Sequence, residues 1–254
     1  DIKAMEKEGL NKLKKLRSAL LSKHGNGVNI DLVCKTGLAF DIIKDYSTEK
    51  KVDLIVMGMH GVGFLEEKLI GNVTSELIKR SDVPVLSIDN RVRFQGVKRI
   101  VFAADYKELN DEKTLNVLKN IAGVFQSHIY ILNVVKNTRE LPSTNQAVAG
   151  VRLNNFFSNV DHSFHTEVNS DVVNGIQKFV SARKMEMIAM MPRKRTFFQA
   201  LHKTRNTKEI ALQFFSSTID LITANKSDEE LFSALNAAHE GVGGYITAGL
   251  NENN

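Results

Sequence analysis

The stretch from Val56 to Leu86, VMGMHGVGFLEEKLIGNVTSELIKRSDVPVL, constrains this chain most. Leu54, Ile55, Val56 and Met57 form a short apolar run that stops at Gly58, the pattern of a buried strand in a parallel sheet. Gly61 follows, Gly71-Asn72 opens a helix marked by Val73, Leu77 and Ile78, and Pro84-Val85-Leu86 begins another strand. The glycines therefore lie between a strand end and a helix start. In open α/β sheets ligands gather at the carboxyl ends of strands, and a helix N-terminus offers unpaired N–H groups to an anion such as phosphate. Glycine lets the backbone approach a ligand closely, and Asn72 is a good N-cap. His60 would line the same loop. The competing reading makes Gly58, Gly61 and Gly71 plain turn residues, and the acidic pair Glu66 and Glu67 weighs on that side.

Upstream, Met5, Leu10, Leu13, Leu16 and Leu20 mark one side of a helix over 2–22 that His24-Gly25-Asn26-Gly27 ends. Val28, Ile30, Leu32 and Cys34 alternate as a strand does, and Ala39, Ile42, Ile43 and Tyr46 mark the next helix. Residues 89–98 read as a linker. Beyond them the pattern restarts with a strand over 99–104, a helix face of Leu115, Leu118, Ile121, Ala122 and Phe125, and a strand over 129–134. Strands alternating with helices predict a doubly wound parallel α/β sheet.

The second half also repeats the first. Setting Thr74 against Thr207 gives an offset of 207 − 74 = 133 residues, and the same offset pairs Ile43 with Ile176, Tyr46 with Phe179, Lys51 with Lys184, Asp53 with Glu186 and Ile55 with Ile188. Residues 1–90 then form a first repeat, 98–224 a second, and 225–254 a tail. The offset sets Asp1 against Val134, so the first repeat lacks a counterpart of the strand, helix and strand near 98–134. The expectation is a longer native product, or an unstable first repeat. No methionine precedes Asp1.

The spacing Gly58-x2-Gly61-x9-Gly71, with Val56-Met57 before it, Val73 after it and Val83-Pro84-Val85-Leu86 downstream, resembles the nucleotide loop of the universal stress proteins. Asn72 replaces that family's usual hydroxyl residue. The resemblance covers roughly residues 1–223 and implies a Rossmann-like sheet of strand order 3-2-1-4-5 in two tandem copies that pair as family dimers do. It further implies an adenine nucleotide, ATP (with Mg2+) or AMP, held through Gly58, His60, Gly61, Gly71, Asn72 and Val73. The family's ATP-binding aspartate corresponds to Asp105, in the second repeat. At the offset, Gly58, Gly61 and Gly71 become Met191, Lys194 and Thr204. The loop Met191-Pro192-Arg193-Lys194-Arg195 cannot wrap phosphate with glycine backbone, since Pro192 lacks a donor. Arg193 and Lys194 could hold an anion by charge, or be a solvated basic rim.

Composition excludes other classes. The single cysteine, Cys34, rules out an internal disulfide and a thiolate zinc cluster and reads as a small core residue, which fits a reducing cytoplasm. The basic residues behind the +5 charge are scattered without aromatic alternation, so no nucleic-acid partner is expected, and no apolar run is long enough for a membrane. His128, His162 and His165 lack metal-ligand spacing, and no nucleophile, base and acid can be assembled around His60. The expectation is a stress-response protein that senses a nucleotide, non-catalytic or at most a weak ATPase. The alternative is a nucleotide-free scaffold of the same fold, acting through pairing of repeats and homo-oligomer formation.

Overall fold

The computed structural model describes residues 1–25, 27–58, 72–88, 96–104, 106, 112–137 and 144–191. They fall into two compact units, one holding residues 1–87 and the other the described residues from 88 to 191.

In the first unit, helix α1 (Ile2–His24) is capped by the Asp1 carboxylate, which accepts from the Lys3 N–H, and ends at Gly25, whose φ of 80° only glycine adopts freely. Leu13 and Leu16 are its buried apolar residues; Met5, expected on the same stripe, is 52% exposed because it lies two turns before the packed region. Helix α2 (Ala39–Glu49) buries Phe40, Ile43 and Ser47, and strand β1 (Ile55–Gly58) follows. Helix α3 (Asn72–Arg80) and strand β2 (Val85–Ile88) complete the unit, with β1 and β2 as neighbours in a two-stranded sheet. Phe40, Ile43, Val52, Ile55, Leu77 and Val83 form its core, and Arg80 lies 4.4 Å over the Phe40 ring.

Residues 28–34 are not a strand, contrary to the alternation of Val28, Ile30, Leu32 and Cys34. A strand is defined by its partner's hydrogen bonds, and the two-stranded sheet of this unit supplies none. Cys34 is accordingly half-buried instead of a core residue, and burial together with the Glu6 carboxylate raises its thiol pKa.

The second unit carries strand β3 (Arg99–Ala103), helix α4 (Glu112–Phe125), strand β4 (His128–Val135), helix α5 (Thr144–Phe156), strand β5 (His162–Val168), helix α6 (Val172–Arg183) and strand β6 (Met187–Met190). Its sheet runs β5-β4-β3-β6, and the three pairings are parallel. That is the expected 3-2-1-4 order for its described strands; the fifth, expected over 219–223, lies outside the described residues. Val101 and Leu132 face Val173, Ile176, Phe179 and Val180 of α6 in one core, while Phe102 on the other face meets Phe157 edge-on at 6.4 Å. The start of β3 is fastened by Glu186, whose carboxylate accepts from the Lys98 N–H (2.6 Å), the Arg99 N–H (2.8 Å) and the Arg99 guanidinium (2.7 Å).

The 133-residue offset holds at the level of elements. It carries α2 (Ala39–Glu49) onto α6 (Val172–Arg183), β1 (Ile55–Gly58) onto β6 (Met187–Met190), and the unpaired stretch 28–34 onto β5 (His162–Val168). It also reproduces the helix ends. Val52 N–H donates to Ser47 O (2.9 Å) after Lys51 at φ 51°, and Met185 N–H donates to Val180 O (3.1 Å) after Lys184 at φ 50°. Both are left-handed helix ends of the six-to-one type, built with lysine where glycine is usual.

Candidate functional site

The candidate nucleotide site begins where β1 ends. Gly58 is the last residue of that strand, and its carbonyl accepts a hydrogen bond from the Thr74 hydroxyl at 3.2 Å. Thr74 lies in the first turn of α3, is 2% exposed, and also reaches the Met57 sulfur at 4.0 Å. This side chain therefore ties the start of the helix to the carboxyl end of the strand, the arrangement that aims helix N–H groups at an anion. Among the described residues, a Cβ built on Gly58 meets nothing within 4 Å, and its φ lies outside the left-handed region. Neither local packing nor backbone conformation requires glycine there, whereas close approach of a ligand would.

Of the residues read from sequence, α3 begins with Asn72, and Val73 is half-buried against the first unit's core, so only its backbone is offered outward. His60, Gly61 and Gly71 lie outside the described residues. Thr74 was used in sequence only to set the repeat; its tie to Gly58 had no visible signal, because a threonine one turn into a helix is commonplace.

In the second unit, Ala103 pairs with Met190, so β3 and β6 end side by side at the point where strand order reverses. Open α/β sheets bind ligands at such points. Asp105, Arg193 and Lys194 follow these two strand ends in sequence and lie outside the described residues. Tyr106 is described: it holds φ at 56°, its ring centroid is 6.4 Å from that of Phe164, and burial pushes its hydroxyl pKa up to about 12.

At the opposite end of this sheet the structure gathers a group that the sequence did not announce. His128 Nδ1 lies 3.1 Å from Asp161 Oδ2, His128 Nε2 is 2.7 Å from Ser163 Oγ, and Ser163 Oγ is 2.8 Å from His165 Nε2. Tyr130 stacks on His165 with centroids 5.3 Å apart, and Phe179 of α6 closes the other side at 5.2 Å. Arg183 lies 4.0 Å over the Phe179 ring. Burial first, then the charges of Arg183 and His128, lower the His165 pKa. The sequence separates His128 from Ser163 by 35 residues. Only the β4–β5 register, which sets Tyr130 against Ser163 and Leu132 against His165, brings them together. His162 points elsewhere, to Val160 O at 2.9 Å and Asn154 Oδ1 at 3.3 Å.

Comparison with known proteins places this geometry. Residues 1–88 match the Universal stress protein family. A universal stress protein of Methanocaldococcus jannaschii is 30% identical over 87 residues, covering 34% of this chain and 52% of that protein. A second from the same organism is 34% identical over 87 residues, covering 34% and 48%. One from Bacillus subtilis is 31% identical over 84 residues, covering 33% and 55%. The chain thus spans about half the length of these relatives. Among solved structures, a universal stress protein from Archaeoglobus fulgidus superposes with a TM-score of 0.56 at 15% identity, over 80% of this chain and 72% of that one. A putative universal stress protein from Pseudomonas aeruginosa gives 0.54 at 17%, over 81% and 74%, and these two likenesses speak for the fold. Among the described residues no helix is long and apolar enough to cross a membrane. Residues 1–88 thus match the universal stress protein family, and the described units share the α/β fold of its solved members.

Proposed function

We propose that this chain is a stress-response protein of the cytoplasm that binds an adenine nucleotide at the first unit, where β1 meets α3. The supporting observation is the Thr74 to Gly58 hydrogen bond, which sets the α3 N-terminus against a strand end whose glycine, among the described residues, would meet nothing within 4 Å of an added Cβ. The residues fit a phosphate group: Gly58 and Gly61 allow close approach, while Gly71, Asn72 and Val73 supply N–H donors at the helix start. His60 stands in the same stretch of sequence. ATP, accompanied by Mg2+, and AMP both present the required anion. Binding acts as a regulatory input; the chain turns over no substrate, or hydrolyses ATP only slowly. The tandem copies pair with each other and with a second chain.

The second reading, a nucleotide-free scaffold, is favoured by the Glu66-Glu67 pair, whose charge opposes phosphate. Calorimetric titration of ATP, with and without magnesium, into the chain and its Gly61→Glu variant separates the two. Heat lost in the variant supports the sensor. Absence of heat in the unsubstituted chain overturns it and leaves the scaffold. Gel filtration with light scattering tests the homo-oligomer.

A further inference from the structure

The histidine group at the amino end of β4 and β5 has a property that neither nucleotide binding nor the fold demands. One hydroxyl, Ser163 Oγ, stands between two imidazoles at 2.7 and 2.8 Å. A hydroxyl has one proton to donate, so the two rings cannot both be served as acceptors. With the Asp161 carboxylate facing Nδ1, that nitrogen of a neutral His128 carries the proton, and its Nε2 accepts from Ser163. Ser163 must then accept from His165, which fixes the Nε2–H tautomer there. When His128 gains a proton, its Nε2 becomes a donor, and the hydroxyl, with two lone pairs, either accepts from both rings or turns its own proton toward a His165 Nε2 that accepts it. A proton on one ring thus changes what the shared hydroxyl offers the other. If both rings are charged, the hydroxyl receives two donors and two cations stand about one serine.

The first three members also have the spacing of a nucleophilic triad. A nucleophile, however, needs a free approach to its oxygen. The second imidazole occupies that side, and the Asp161 side chain is 85% exposed, too solvated to hold His128 firmly. The chemistry left is proton coupling. We propose that Asp161, His128, Ser163 and His165 form one proton-coupled unit through which acidification loosens the edge strand β5.

Everything charged or titratable that faces the group bears on this. From β4 come His128 and Tyr130, from β5 and its approach Asp161, Ser163 and His165, and from α6 Arg183 across the Phe179 ring. Glu167 on the same face of β5 is held by Lys178 at 2.6 Å. Arg183 and His128 both oppose charging of His165, so a proton there meets cations on two sides. β5 yields because, among the described residues, it is the outer strand of its sheet, paired with β4 alone.

The test is an NMR titration of the histidine ring protons in the full chain, beside Ser163→Ala and Ser163→Thr. The expected result is that His128 and His165 share two steps whose proton dissociation constants differ at least about tenfold, that Ser163→Ala returns two independent curves, and that Ser163→Thr, which keeps the hydroxyl, restores the coupling. Independent single steps in the unsubstituted chain, or coupling unchanged in Ser163→Ala, overturn the proposal. Hydrogen exchange supplies the second readout. From pH 7 to 5, after correction for intrinsic rate, β5 amides lose roughly tenfold protection relative to β3, and a His128→Gln/His165→Gln variant does not. Equal protection of β5 at both pH values also overturns it.

Discussion

Lys51 and Lys184 occupy left-handed backbone at φ 51° and 50°, where an L side chain crowds the next carbonyl. Glycine there removes roughly 1–2 kcal/mol of strain and costs about 0.5–1 kcal/mol in unfolded-chain entropy. Lys184→Gly is therefore expected to raise unfolding free energy by about 0.5–1 kcal/mol in urea titration, with the slope unchanged. The lysine identity at both ends was legible as a repeat, but its conformation was not, since lysine carries no signal for positive φ. Thr74 is the reverse case. Thr74→Val keeps the shape and loses the bond to Gly58 O, which should cost about 1 kcal/mol of stability and weaken ATP binding more than a remote substitution of equal cost. The titration of His165 belongs to this scale too. Its pKa is lowered in the folded chain, so the unfolded chain binds the extra proton first. Stability from this group is complete above about pH 6.5, the unfolded value, and falls as pH drops below it. Urea midpoints at pH 7.5 and 5.5 should move closer together in His165→Gln.

Between elements, α6 packs tightly at Gly175. A Cβ there would stand 2.7 Å from Val134 Cγ1 of β4 and 3.0 Å from Asn169 Cβ. Gly175→Ala gains helix propensity, yet it must push α6 off the sheet, and overpacking of this kind costs about 1–3 kcal/mol. A net loss of stability is expected by thermal unfolding. Helices and strands with strong periodicity were readable, because a 3.6-residue or two-residue pattern is written within one segment. Pairing is not. The alternation of Val28 to Cys34 promised a strand, but a ladder belongs to two segments, and the corresponding β5 is a strand because β4 lies beside it. The same limit hid the histidine group, which exists only in the β4–β5 register.

Across the whole molecule, the two units rest on unequal sheets. Among the described residues the second has four strands with β3 and β4 each flanked on both sides, and the first has two. Two-stranded sheets are marginal without other packing, so local opening should cost less there. Native-state hydrogen exchange is expected to show β3 and β4 amides protected above those of β1 and β2; the opposite order would mean that the helices of the first unit carry its stability. Fold class was legible at this scale because alternation of element types survives even where one strand is misassigned. Gly58, Asn72 and Val73 of the candidate site were named from glycine spacing, while His60, Gly61 and Gly71, named with them, lie outside the described residues. What the sequence withheld was the Thr74 tie from α3 to Gly58 and, in the second unit, the fastening of the strand starts.

That fastening lies at one end of the second unit's sheet. Glu186 holds the backbone of residues 98 and 99, the Lys98 ammonium reaches Phe125 O, and the Ser127 hydroxyl reaches Val97 O, all where β3 and β4 begin. Among the described residues, the rim where these strands end carries none of these side-chain bonds. Gly58 and Met191 correspond by the 133-residue offset, so one strand end is followed in sequence by glycines and the other by proline and arginine, while in the second unit the bonds that fasten the sheet lie at its other end.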